Sequence, residues 1–79
     1  MELFDYEITD DTAKFYFESP EFGDVVIDVD FAPVKGSAEF GVHEITAEYE
    51  LDEIRSTGAY LRASQVIQDI LDNYIQEDL

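Results

Sequence analysis

Carboxylates are the reactive groups that this chain carries in quantity. Twenty Asp and Glu stand against four Lys and Arg and one His among 79 residues. Many recur at two-residue spacing, as in Asp5 and Glu7, Asp28 and Asp30, and Glu48, Glu50 and Asp52. Two carboxyl groups can share acid–base work when their surroundings push the two pKa values apart. That requires a pocket, whereas two-residue spacing is the repeat of a strand face open to water. With twenty candidates, the nomination of any one pair carries no information.

The other groups that could do chemistry are few. His43 is the sole histidine, and there is no cysteine. A metal site of imidazole or thiolate type therefore has no second member. Ser37, Ser56 and Ser64 show no base-and-orienter arrangement with His43. The segment from Asp24 through Asp28 to Asp30 offers oxygen ligands but lacks the acidic loop with glycine that wraps calcium. Glycines stand apart at 23, 36, 41 and 58, so no loop cradles a phosphate. The expectation is a protein that is not an enzyme and has no cofactor or dedicated metal site, with His43 in a structural role on the apolar side or at a sheet edge.

What the carboxylates can do without a pocket is bind a basic surface. The formal charge is −16, where a magnitude of about 2–8 is ordinary for a small domain. Such a charge repels nucleic acid and anionic membranes and attracts basic proteins. Carboxylates at i and i+2 on a strand lie about 6.8 Å apart. Two neighbouring strands then carry roughly one charge per 3.4 Å, as one strand of DNA does. Like charges opposed across a sheet are destabilising, and an ordinary solvated face would mix in Lys and Thr. The residues expected to bind a partner are Glu18, Asp28, Asp30, Glu44, Glu48 and Glu50. Phe22, in the loop from Ser19 to Gly23, either folds back onto its hairpin or stands out as an aromatic anchor in an acidic rim. The competing reading is a halophilic or housekeeping domain whose acidity serves solubility. Eleven aromatic residues and seven isoleucines weigh mildly against it.

The elements that must position these groups follow from periodicity. Residues 2–9 alternate with Phe4, Tyr6 and Ile8 on one face. Asp10-Asp11 is a tight turn. Residues 12–19 point Ala13, Phe15 and Phe17 inward and Lys14, Tyr16 and Glu18 outward. Residues 24–31 point Val25, Ile27, Val29 and Phe31 inward. Residues 32–37 read as a loop. A fourth strand spans 40–52, with His43, Ile45, Ala47, Tyr49 and Leu51 on one side and Glu44, Glu48, Glu50 and Asp52 on the other. Phe40 and Val42 are out of phase with it, which a bulge near Gly41 reconciles. Ser56 or Thr57 caps a helix over 57–77. Its stripe of Tyr60, Ala63, Val66, Ile67, Ile70, Leu71 and Tyr74 faces the sheet, and Arg62, Gln65, Gln68, Asp69, Asp72 and Gln76 lie opposite. The expected fold is α+β: a single domain over 1–79, with a four-stranded antiparallel meander and one C-terminal helix on its apolar face. The other face is expected to be acidic and solvent-exposed.

No motif of a named family is present. In size, charge and lack of catalytic groups the chain resembles two broad classes. One is the phage DNA-mimic inhibitors, among them anti-restriction, anti-CRISPR and glycosylase-inhibitor proteins. The other is the acidic immunity proteins and antitoxins that neutralise basic nucleases. The resemblance is one of composition over the whole chain, so no functional residue is carried over from it. It implies an inhibitor that occupies the nucleic-acid-binding surface of a basic protein, a nuclease or an effector complex, without binding nucleic acid itself. Residues 1–6 show no basic, apolar leader pattern, and apolar runs are far too short for a membrane span. The expected location is the cytoplasm, that of the host cell for a phage protein. The oligomeric state is left open.

Overall fold

A computed structural model describes residues 1–77; positions 78 and 79 lie outside the described residues. Four strands come first: β1 (Glu2–Thr9), β2 (Thr12–Ser19), β3 (Gly23–Val34) and β4 (Ser37–Thr46). Two helices follow, α1 (Leu51–Arg55) and α2 (Gly58–Glu77). The sheet order is β1-β2-β3-β4 with every neighbour antiparallel. This is the meander with a C-terminal helix that the alternating pattern predicts. Short connections allow no other arrangement of neighbours as readily.

The inner rows of β2 and β3 fall as their periodicity requires. Ala13, Phe15, Phe17, Val25, Ile27, Val29 and Phe31 are buried, in one cluster with Ile54, Ala63, Ile67, Leu71 and Ile75. The helix stripe is thus rotated slightly from its expected centre. Ile75 is inside, while Val66 stands at the margin, about a third exposed.

Two bulges set the faces of the edge strands. In β1 the register shifts between Leu3 and Asp5. Leu3 opposes Phe17 and Tyr6 opposes Phe15, so Leu3 turns inward in place of Phe4. Phe4 is 59% exposed. An extra residue inverts parity on one side of itself. In β4 the shift lies at His43 rather than at Gly41, because Asp28 opposes Glu44 while Val29 opposes Val42. Ala38, Phe40, Val42 and Ile45 therefore all pack toward the core, and His43 is the extra residue, exposed at the sheet edge.

Residues 32–37 are not a loop. β3 continues to Val34, Pro33 opposes Ala38, and the chain reverses at Lys35-Gly36, both with positive φ (55° and 85°). Pro33 is tolerated because β2 stops pairing at Asp30. The N–H that proline lacks faces no strand there. The β3–β4 hairpin so extends past β2 as an arm, and α2 packs chiefly along β4.

The fourth strand also ends earlier than its acids suggest. β4 stops at Thr46, and Leu51–Arg55 forms α1. Asp52 and Glu53 sit in its first turn and Arg55 in its last, the signs a helix dipole favours. The turn of chain places Ile54 fully inside the core. The Ser56 and Thr57 hydroxyls donate back to the Glu53 and Ile54 carbonyls (3.0 and 2.9 Å). They close α1 instead of capping α2.

Candidate functional site

Cross-strand register converts the outer face of the sheet into rows. At one end Glu2, Glu18 and Asp24 lie opposite one another across β1, β2 and β3. The next row holds Asp5, Tyr16, Val26 and Thr46, with Phe4 beside it at the bulge, its ring 6.1 Å from that of Tyr16. Then come Glu7, Lys14, Asp28 and Glu44 across all four strands. Last are Thr9, Thr12, Asp30 and Gly41, with His43 at the edge. Successive rows are about 6.8 Å apart, two residues along a strand. The face is banded: carboxylates, then a strip of Phe4, Tyr16 and Val26 ended by Asp5 and Thr46, then carboxylates around Lys14.

Four of the predicted partner-binding residues are brought together here. Glu18, Asp28, Asp30 and Glu44 share the outer face. Glu48 and Glu50 do not, since both follow the end of β4 and Glu50 is the residue preceding α1. Their alternation with Ala47, Tyr49 and Leu51 imitates a strand, but burial of Ile54 bends the chain into a helix. Phe22 folds back: it is 7% exposed and meets the Tyr49 ring edge-on at 5.5 Å. The Ser19 hydroxyl accepts from the Glu21 and Phe22 amides (3.2 and 3.3 Å) and holds that turn closed. The exposed aromatic ring of this face is Phe4 instead. Its signal was the adjacent apolar pair Leu3-Phe4, which breaks strict alternation and marks a bulge. Glu2 joins the face for the same reason.

The charge on this face is little compensated. Lys14 Nζ lies 3.9 Å from Asp28 Oδ1, and His43 Nδ1 lies 3.8 Å from Asp30 Oδ2. Exposed pairs of this kind contribute about 0–1 kcal/mol. A shallow depression of about 510 Å³ runs between Glu7, Lys14, Asp28 and Glu44. Among the described residues, no three His, Cys, Asp or Glu side chains are grouped to hold a metal ion.

One carboxylate expected in water has a different place. Asp72 Oδ1 accepts from the Ala38 amide (2.7 Å), the Gln68 side-chain amide (2.9 Å) and the Ser37 hydroxyl (3.1 Å). Gln68 also donates to the Ala38 carbonyl (2.6 Å). Gln68 and Asp72 therefore face β4 and clasp the helix to the hairpin arm. The Ala38 amide, with help from Gln68 and against the pull of partial burial, holds the Asp72 carboxyl below the usual range.

No described helix is long and apolar enough to cross a membrane. Compared with family models, curated proteins and solved structures, the chain matches none.

Proposed function

We propose that the protein is an inhibitor that binds a basic nucleic-acid-binding protein through the outer face of its sheet, where it takes the place of nucleic acid. The observation that carries the reading is the banded face: Glu2, Glu18 and Asp24 on one side and Glu7, Asp28 and Glu44 on the other, set in register around a strip with exposed Phe4 and half-buried Tyr16. Carboxylates at this density compete with phosphates for a basic groove and speed encounter with it. The apolar strip supplies shape-specific contact, as an aromatic anchor inside a polar rim does in protein interfaces. The partner is of the nuclease or effector-complex kind, and its identity comes from capture out of cell lysate at low and high salt. No step of chemistry is assigned to the chain, and its location in a cytoplasm belongs to the same reading.

The test separates this face from bulk charge. Glu18 and Glu44 reversed to Lys, and separately Glu53 and Asp69 reversed to Lys, each move the net charge from −16 to −12. The sheet pair is expected to weaken binding to the captured partner far more than the helix pair, with circular dichroism showing both variants folded. Double-stranded DNA is expected to compete with the wild-type protein for that partner. Equal weakening by both pairs, or indifference to DNA, removes the reading.

A second reading keeps one observation in its favour. Lys14 and three threonines (Thr9, Thr12 and Thr46) are mixed into the face, as in a plain solvated surface. Acidity would then serve solubility, and folding only in molar salt would be its mark.

A further inference from the structure

We infer that the aromatic strip on the outer sheet face, Phe4 with Tyr16, seats an arginine side chain of the partner in preference to a lysine; this rests on the basic-partner reading above and adds which cation the face selects. The two rings lie 6.1 Å apart and tilted 45°. Phe4 is more exposed than any other large apolar side chain of the sheet. Phe4 sits at the bulge of edge strand β1, on the face away from the core, where its only ring contact among the described residues is with Tyr16 of the neighbouring strand. Asp5 stands in the same row, the row on one flank presents Glu2, Glu18 and Asp24, and the row on the other presents Glu7, Asp28 and Glu44 around Lys14.

Arginine matches this arrangement in both of its parts. Its guanidinium is planar and weakly hydrated, so it stacks on a ring while its N–H fork reaches a carboxylate beside it. Rows about 6.8 Å apart put a carboxylate within that reach on either side of a stacked guanidinium. Lysine satisfies the carboxylates as a point charge but keeps its water and gains less over a ring. The chain shows the same chemistry elsewhere on itself, where the Arg55 guanidinium lies 5.9 Å above the Tyr60 ring. Among the described residues, no such cation covers Phe4 or Tyr16, and Lys14, the nearest on the face, is directed at Asp28.

The experiment compares an arginine nonapeptide with a lysine nonapeptide, equal in charge, by calorimetry at 0.15 M NaCl. The wild-type protein is expected to bind the arginine peptide about fivefold more tightly. Phe4→Leu keeps the apolar bulk and removes the ring, so it is expected to lower the arginine affinity toward the lysine level and to lower the latter less. Phe4→Tyr keeps the ring and is expected to keep the preference. Both variants sit on an exposed side chain, and circular dichroism checks their fold. Equal affinity for the two peptides overturns the arginine seat, as does a preference that survives Phe4→Leu undiminished. Those results leave the acidic face standing. Binding of neither peptide, or binding that the Glu18 and Glu44 reversals do not weaken, overturns the acidic-face reading itself.

Discussion

Asp72 stands among many exposed acids, yet its oxygen accepts from a main-chain amide, a side-chain amide and a hydroxyl at once. Those donors favour the charged form, so its folded-state pKa lies below the ordinary 3.8. The sign follows: the stabilisation is fully present above the unfolded value and is lost as pH falls through the lower folded one. Asp72→Ala is expected to lower the melting temperature by several degrees at pH 7, while Asp69→Ala, one turn away and exposed, leaves it nearly unchanged. Melts repeated at descending pH are expected to show the Asp72→Ala deficit shrinking below pH 3.8. A deficit constant through that range would separate the clasp from the charge. None of this was legible in the sequence. On a helical wheel Asp72 and Gln68 belong to the polar side, and their partner Ala38 is 34 residues from Asp72. Phe4 and His43 were half legible. Each sits where alternation stutters, and the stutter says that a residue is extra without saying which one.

The hairpins tell the same story at the level of elements. β2 and β3 needed only their period, because both faces of a central strand are fixed by neighbours on each side. The edge strands are paired on one side and tolerate bulges there. The β3–β4 turn was hidden by Pro33, which reads as a loop signal until one sees that β2 has already ended. Lys35 carries the cost of that turn. At φ 55° its Cβ crowds the backbone, which for residues other than glycine and asparagine costs about 1–2 kcal/mol. Asn-Gly is the pair such two-residue turns favour. Lys35→Asn is therefore expected to raise stability by up to about 1 kcal/mol. Lys35→Gln removes the same charge without the turn preference and serves as the control in thermal or urea melts. If the two variants melt together, conformation is not what limits this turn. α1 was missed for the opposite reason, since a short amphipathic turn over Leu51–Arg55 leaves too few residues for a helical period to outweigh alternating acids.

Taken whole, the molecule measures 38 × 20 × 17 Å, a length close to that of twelve-residue β3 fully extended. Sixteen net charges along 38 Å are roughly one per 2.4 Å, between the 3.4 Å of one DNA strand and the 1.7 Å of the duplex. Repulsion at this density opposes folding, and salt screens it, the Debye length falling from about 30 Å at 0.01 M to about 3 Å at 1 M. The melting temperature is expected to rise steadily with NaCl over that interval, read by circular dichroism. A flat response would mean that the charges are too well solvated to strain the fold. Near the isoelectric point that the composition gives, about pH 4.1, repulsion between molecules fades, and edge-to-edge pairing of sheets is then opposed by the shape of their borders. One border is interrupted at Phe4, where the Asp5 carboxylate takes the Tyr6 amide. The other is interrupted at His43 and occupied at Ala38 by Gln68 and Asp72. Neither border offers an unbroken ladder to a second chain, so precipitation at the isoelectric point should be amorphous and reversible, not fibrillar.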